Sequence, residues 1–160
     1  MRLMVIAVGR LKDGAERELA DRYAKRFDDL GRRIGMRGLE IHEIPESKAR
    51  DTASRIAAEA TALSALIPER AIVAALDEHG KAFDSLAFSN ELRRHRDAAV
   101  PALAFLIGGA DGLSPDLRRR AAFTLAFGAA TWPHQLVRVM LLEQLYRAAT
   151  ILSGHPYHRA

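Results

Sequence analysis

A chain of 160 residues, 49% hydrophobic and 28% charged, can bury a respectable core, and a single domain over 1–160 is expected. It contains no cysteine, which excludes a disulfide scaffold, thiolate catalysis and thiolate zinc sites. The net charge of +4 and sequence pI near 9.8 suit a polyanionic partner without requiring one; with no leader-like segment and no apolar run of membrane-spanning length, a cytoplasmic protein is expected.

Arg2 to Val8 is a short apolar run that reads as a strand, followed by a turn-like Gly9 to Gly14 and a charged helical stretch from Ala15 to about Leu30. Leu39 to Ile44 alternates as a strand, and Pro45 breaks the chain before an alanine-rich helix from about Ala49 to Leu66, which Pro68 ends. These two helices carry no evident chemistry and read as scaffold. Ala71 to Leu76 and Ala102 to Ile107 are nearly continuous apolar runs, as in strands covered on both faces of a parallel sheet, with Asp84 to Arg96 as a crossover helix between them. A short helix begins near Pro115 with Ser114 as its cap, and part of Phe123 to Phe127 forms a fifth strand. From Leu136 to Ile151 apolar residues recur at helical spacing. This alternation predicts an α/β fold with a mainly parallel sheet flanked by helices on both faces.

Open α/β sheets bind ligands beyond the carboxyl ends of their strands, which directs attention to three loops. Asp77-Glu78-His79-Gly80-Lys81 follows Leu76, and Gly108-Gly109-Ala110-Asp111-Gly112 follows Ile107. The glycines of the second permit positive φ and close backbone approach to a ligand. It is neither G-x-G-x-x-G nor a phosphate loop ending in Gly-Lys-Ser/Thr, so dinucleotide and nucleoside-triphosphate readings lose support, while a nucleoside without phosphates stays open. The third loop, Phe127-Gly128-Ala129-Ala130-Thr131-Trp132, is small-residue rich and suited to offering main-chain groups to a flat heterocycle.

The terminal segment concentrates the uncommon polar residues. Pro133 suits the first turn of a helix, and His134 and Arg138, four residues apart, share a helical face near its N-terminus, which suggests an anionic or polar ligand. Glu143 and Arg147 are spaced for a surface ion pair, and Arg118-Arg119-Arg120 reads as a solvated helix face. His155 and His158 with His134 lack a nearby carboxylate, and Pro156 opposes a helix there, so no metal is expected. The absence of a G-x-S-x-G elbow removes the serine-hydrolase reading.

Five segments, in this order, carry a resemblance that spans the chain: Leu76-Asp77-Glu78-x-Gly80-Lys81, Ile107-Gly108-Gly109-x-Asp111-Gly112-Leu113, Thr131-x-Pro133-His134-x-Leu136-Val137-Arg138-Val139, Glu143-Gln144-x-Tyr146-Arg147-Ala148 and His155-Pro156-Tyr157-His158-Arg159. Together they resemble the bacterial 23S rRNA pseudouridine N3-methyltransferases of the trefoil-knotted SPOUT superfamily. The resemblance implies a knot near the C-terminus, a homodimer, and S-adenosylmethionine (SAM) held bent by the knot loops. It implies methyl transfer to N3 of a pseudouridine in 23S rRNA, on the assembled ribosome.

Carried over residue by residue, the resemblance assigns cofactor binding to Leu76, Gly108, Gly109, Phe127, Gly128, Ala129, Ala130, Thr131 and Trp132. Catalysis falls to His134, Arg138, Tyr157 and His158. The imide N3 carries a proton and is a poor nucleophile until that proton leaves, so a base is needed. His134 or His158 is expected to be that base, with Tyr157 a further candidate for moving the proton. Arg138 is expected to bind phosphate or to stabilise the negative charge that develops on the base. Trp132 stands where the family carries an aliphatic residue, and either closes surface over the cofactor or fills core space. Tyr157 and Trp132 can stack on an extruded base, and Arg118 to Arg120, Arg138 and Arg159 can contact phosphates. The alternatives are a knotted methyltransferase acting on another RNA nucleotide, and a catalytically silent RNA- or ribosome-binding dimer.

Overall fold

Strand and helix alternate along the whole of a computed structural model that describes residues 1–158. In chain order the elements are β1 (Arg2–Val8), α1 (Ala15–Gly31), β2 (Leu39–Ile44), α2 (Thr52–Leu66), β3 (Ala71–Ala82), α3 (Ser85–Asp97), β4 (Ala102–Ile107), α4 (Pro115–Arg120), β5 (Phe123–Ala126) and α5 (His134–Ser153), with a 3₁₀ turn at Arg32–Ile34. The sheet runs β2-β1-β4-β3-β5, and every neighbouring pair is parallel, so the expected mainly parallel sheet is wholly parallel.

Alternation along the central strands sorts the side chains onto two faces. Leu3, Val5 and Ala7 of β1 and Leu103, Phe105 and Ile107 of β4 meet Phe27 of α1, Phe88 and Leu92 of α3, and Leu141 and Leu145 of α5. Met4, Ile6 and Val8 with Ala104 and Leu106 meet Leu63 of α2 and Leu117 of α4. Each fully buried leucine or isoleucine contributes about 2 kcal/mol by leaving water, so β1 and β4, apolar on both faces, anchor the sheet. The faces are unequally covered: α1, α3 and α5 form the first layer, while α2 shares the second with a helix of only 6 residues.

Three boundaries differ from expectation, each for a local reason. The alanine-rich helix starts at Thr52 rather than near Ala49, because the Asp51 side chain accepts the Ser54 N–H at 2.8 Å and caps it there. Asp84 caps α3 in the same way rather than lying inside it, accepting from Ala87 N–H. Asp77 to Lys81 is not a simple loop: Leu76 and Lys81 both pair with Leu125 of β5, so the strand bulges out and re-enters the sheet. A side chain at Gly80 would put Cβ 2.9 Å from the Asp77 carbonyl and from the Leu125 backbone, so this bulge closes only around glycine. Among the described residues, no helix is long and apolar enough to cross a membrane.

Candidate active site

The carboxyl ends of β3, β4 and β5 open into a cavity of about 610 Å³, within the size range of small-molecule sites. The β3 bulge, the Gly108–Gly112 loop and the segment from Phe127 to His134 wall it. Of the residues expected to hold a cofactor, Leu76, Gly108, Gly109, Phe127, Gly128, Ala130, Thr131 and Trp132 line it, and Ala129 lies between two of them without lining it. The glycine loop is folded tightly on itself. A Cβ at Gly108 would meet the Gly112 carbonyl carbon at 2.6 Å and Leu113 N at 2.8 Å. Gly112 N–H donates to the Gly109 carbonyl at 3.0 Å.

Two hydrogen bonds brace the third loop. Thr131 Oγ1 donates to Glu78 Oε2 at 2.9 Å, which ties it across to the β3 bulge, and Trp132 Nε1 donates to the Phe127 carbonyl at 3.1 Å. Trp132 is 44% exposed, so its indole sits at the cavity rim and does not fill the core. Ile56 of α2 and Arg118 of α4 also line the cavity, and sequence reasoning did not place either there. Arg118, Arg119 and Arg120 are all exposed, as the reading of a solvated face expects, and Arg118 Nη1 also donates to Asp77 Oδ2 at 3.0 Å. Burial raises the Asp77 carboxyl, but the His79 N–H and Arg118 outweigh it and hold the group below the usual carboxylate range.

His134 begins α5 on the cavity wall, packed so closely on Gly9 that a Cβ there would lie 3.0 Å from its Nε2, which is itself 3.6 Å from Glu46 Oε1. Arg138 shares that face, as the spacing predicts, but turns inward. It is fully buried, pairs with the Glu43 carboxylate, and donates to the carbonyls of Gly9 at 2.9 Å and Val8 at 3.3 Å. Within this chain, then, Arg138 is not free to contact a phosphate, and it does not line the cavity. Glu43, at the end of β2, also accepts from Arg17 Nη2 at 2.9 Å and from Leu11 N–H at 3.0 Å. Burial raises the Glu43 carboxyl, but Arg17, the Leu11 N–H and the Arg138 charge together pull it below its ordinary value. Burial lowers Arg138 against the pull of Glu43, and a guanidinium remains ionised regardless. The network fastens the first turns of α5 to the carboxyl ends of β1 and β2.

Tyr157 and His158 lie elsewhere. The Tyr157 ring packs 4.7 Å from that of Tyr146, the Arg147 guanidinium lies 5.0 Å over it, and its hydroxyl donates to Glu143 Oε1 at 3.1 Å. Glu143 also pairs with Arg147, as expected from their spacing. Burial, a hydrogen bond with Tyr23 and the Glu143 charge push the Tyr157 phenol up to about 12. Neither Tyr157 nor His158 lines the cavity, and Glu143 is roughly 13 Å of helix beyond His134. The four expected catalytic residues therefore do not form one constellation within a chain. Arg159 lies outside the described residues. Among those described, no cluster of three or more histidines and carboxylates is arranged to hold a metal ion.

A family model described as "Predicted SPOUT methyltransferase" matches residues 1–158. The chain is 65% identical over 160 residues to a "Ribosomal RNA large subunit methyltransferase H" of Bradyrhizobium, covering 100% of both chains. It is 67% identical to the protein of the same name from Nitrobacter hamburgensis, covering 99% of each. Among solved structures it resembles a probable methyltransferase from Bordetella pertussis, with a TM-score of 0.51 and 16% identity, covering 92% of this chain and 95% of the other; that likeness speaks to the fold.

Proposed function

The chain belongs to the SPOUT methyltransferase family and is an enzyme that methylates large-subunit ribosomal RNA with SAM as donor; from that premise we propose that the acceptor is N3 of a pseudouridine in 23S rRNA. The observation that carries the reading is the cavity beyond β3, β4 and β5, walled by three loops with His134 on its rim. We take all of residues 1–160 to act as one methyltransferase domain, threaded near its C-terminus as a trefoil knot, and to work in the cytoplasm on assembled ribosomes.

The cavity suits a nucleoside-bearing cofactor on physical grounds. Gly108 and Gly109 line the cavity with bare main chain, the Cβ side of each being filled by the Gly112–Leu113 backbone or by Val8 and Glu59, and Gly128 and Ala130 add small residues to the wall. Leu76 and Phe127 supply apolar walls for a flat ring. When bound there, SAM supplies an electrophilic methyl carbon on a sulfonium. The protein's own work is to orient the base and to move its N3 proton. His134 is in place for the proton, since it reaches the cavity while its ring is packed on Gly9. Arg138 positions His134 by holding the carbonyl of Gly9, on which the His134 ring packs. Trp132, at the rim, offers a stacking surface for an extruded base.

Tyr157 and His158 act in this reading across a homodimer, each tail reaching the partner's cavity. The +4 charge supports attraction to RNA, which predicts activity that falls steeply with salt. The decisive experiment is transfer of labelled methyl from SAM to ribosomes lacking the N3 methyl group, beside pseudouridine-free ribosomes and free large subunits. Label confined to pseudouridine-containing ribosomes is expected. Label entering pseudouridine-free ribosomes would move the acceptor to another nucleotide, and absence of both label and cofactor binding would leave a silent RNA-binding module.

A further inference from the structure

Helix α2 carries a buried carboxylate that no cation among the described residues pairs with. Glu59 is 7% exposed; its Oε1 accepts the Ser47 N–H at 2.9 Å, and its Oε2 is buried without a hydrogen-bond partner. A Cβ on Gly109 would lie 3.1 Å from Oε2 and 3.4 Å from Oε1, so the carboxylate is packed directly behind the glycine that walls the cavity.

The other acidic groups around the cavity are answered. Asp77 accepts from Arg118 at 3.0 Å, and Asp111 receives a two-point contact from Arg55, Nε to Oδ2 at 2.7 Å and Nη2 to Oδ1 at 3.2 Å. Glu78 accepts from Thr131, and its side chain is half exposed to water. Arg55 sits one turn before Glu59 and feels its charge, but its remaining donors go to the carbonyls of Ala49 and Arg50 and to the Thr52 hydroxyl. An uncompensated charge in a poorly solvated place is costly unless something recovers the cost.

Methyl transfer supplies such a partner. The donor carries a sulfonium and one net positive charge. The carbon–sulfur bond breaks with its electron pair returning to sulfur, and the demethylated product, S-adenosylhomocysteine, is a neutral thioether. A ligand atom resting on the cavity side of Gly109 lies on the order of 7 Å from Glu59, one van der Waals contact on either side of the glycine. Across that distance at a protein-like dielectric, one unit charge changes affinity by at least about tenfold. Resting on the reading that SAM occupies this cavity, we infer that Glu59, acting through the wall formed by Gly109, makes the site prefer the cationic donor over the neutral product. The charge thereby draws in the donor and loosens the product once the methyl has left.

Calorimetric titration of wild type, Glu59→Gln and Glu59→Asp with SAM and with S-adenosylhomocysteine separates this role from packing. Gln keeps the size of the side chain and an acceptor for Ser47 while removing the charge. It should weaken the donor about tenfold more than the product, whereas a purely structural role would weaken both alike. Asp keeps the charge but retracts it, so its selectivity should fall by a smaller factor, about threefold. If Gln prevents folding, Asp decides alone. An unchanged donor-to-product ratio in the folded variants overturns the inference, and failure of wild type to bind either compound overturns the cofactor reading instead.

Discussion

The two ends of α5 are built from similar residues and do different things. At the first, Pro133, His134 and Arg138 stand over the carboxyl ends of β1 and β2, where a charged network fixes the backbone and leaves His134, but not Arg138, facing the cavity. At the second, Glu143, Tyr146 and Arg147 hold Tyr157 in an aromatic and ionic clamp against α1, away from the cavity beyond β3, β4 and β5. Density of reactive side chains is thus no measure of where chemistry occurs; a wall of exposed main chain next to one ionisable group is. A helix of 20 residues separates groups that are close in sequence.

The contrast can be broken most severely with glycine. Gly108→Ala forces Cβ into the Gly112–Leu113 backbone and should weaken SAM binding at least about 100-fold by calorimetry, a loss of about 2.7 kcal/mol or more. Gly154→Ala, at the far end of α5, meets nothing within 4 Å but occupies φ +68°; it should cost about 1 kcal/mol of stability and leave binding alone. Equal loss of binding in both would erase the distinction between the ends.

His134→Ala should reduce single-turnover methyl transfer by about 100-fold or more while SAM binding changes little; retained turnover would remove His134 as the proton carrier. Glu43→Gln leaves the Arg138 guanidinium buried without its carboxylate and should lower unfolding stability in urea by about 3 kcal/mol. Because the folded chain holds the Glu43 carboxyl below its ordinary value, its contribution is complete above that ordinary value and is lost as pH falls through the lowered one. The gap between wild type and Glu43→Gln should therefore narrow in acid, and a gap that widens would contradict the network. Tyr157→Phe deletes the hydroxyl that Glu143 accepts and should cost about 1 kcal/mol without touching cofactor binding.

Much of the fold was legible because β1 and β4 are apolar on both faces and Pro, Gly and cap residues punctuate the rest. The loops after β3, β4 and β5 stood out because glycines and alanines after buried strands leave backbone available, whereas the individual cofactor positions came from the family resemblance. What escaped was the direction and pairing of charge. The spacing of His134 and Arg138 gave their common face but not that Arg138 points into the protein, because its partner Glu43 lies 95 residues away in a strand whose alternation looks ordinary. Helix α2 read as scaffold since one glutamate among alanines resembles a solubilising residue, and only the fold reveals Glu59 behind Gly109. The pairing of exposed Arg118 with Asp77 escaped because the bulge that brings Asp77 to it has no signature beyond Gly80.

Complementation between two inactive chains tests most directly whether the ends of α5 meet across a dimer. One chain would carry Gly108→Ala, which spoils its cavity, and the other Tyr157→Phe with His158→Ala, which spoils its tail; each alone and the two refolded together would be assayed for methyl transfer to ribosomes. Activity in the mixture that neither chain has alone is the expected result, since the mixed dimer holds one intact cavity facing one intact tail. An inactive mixture whose mixed dimers are demonstrably present would contradict it, and would place both ends of the helix at work within a single chain.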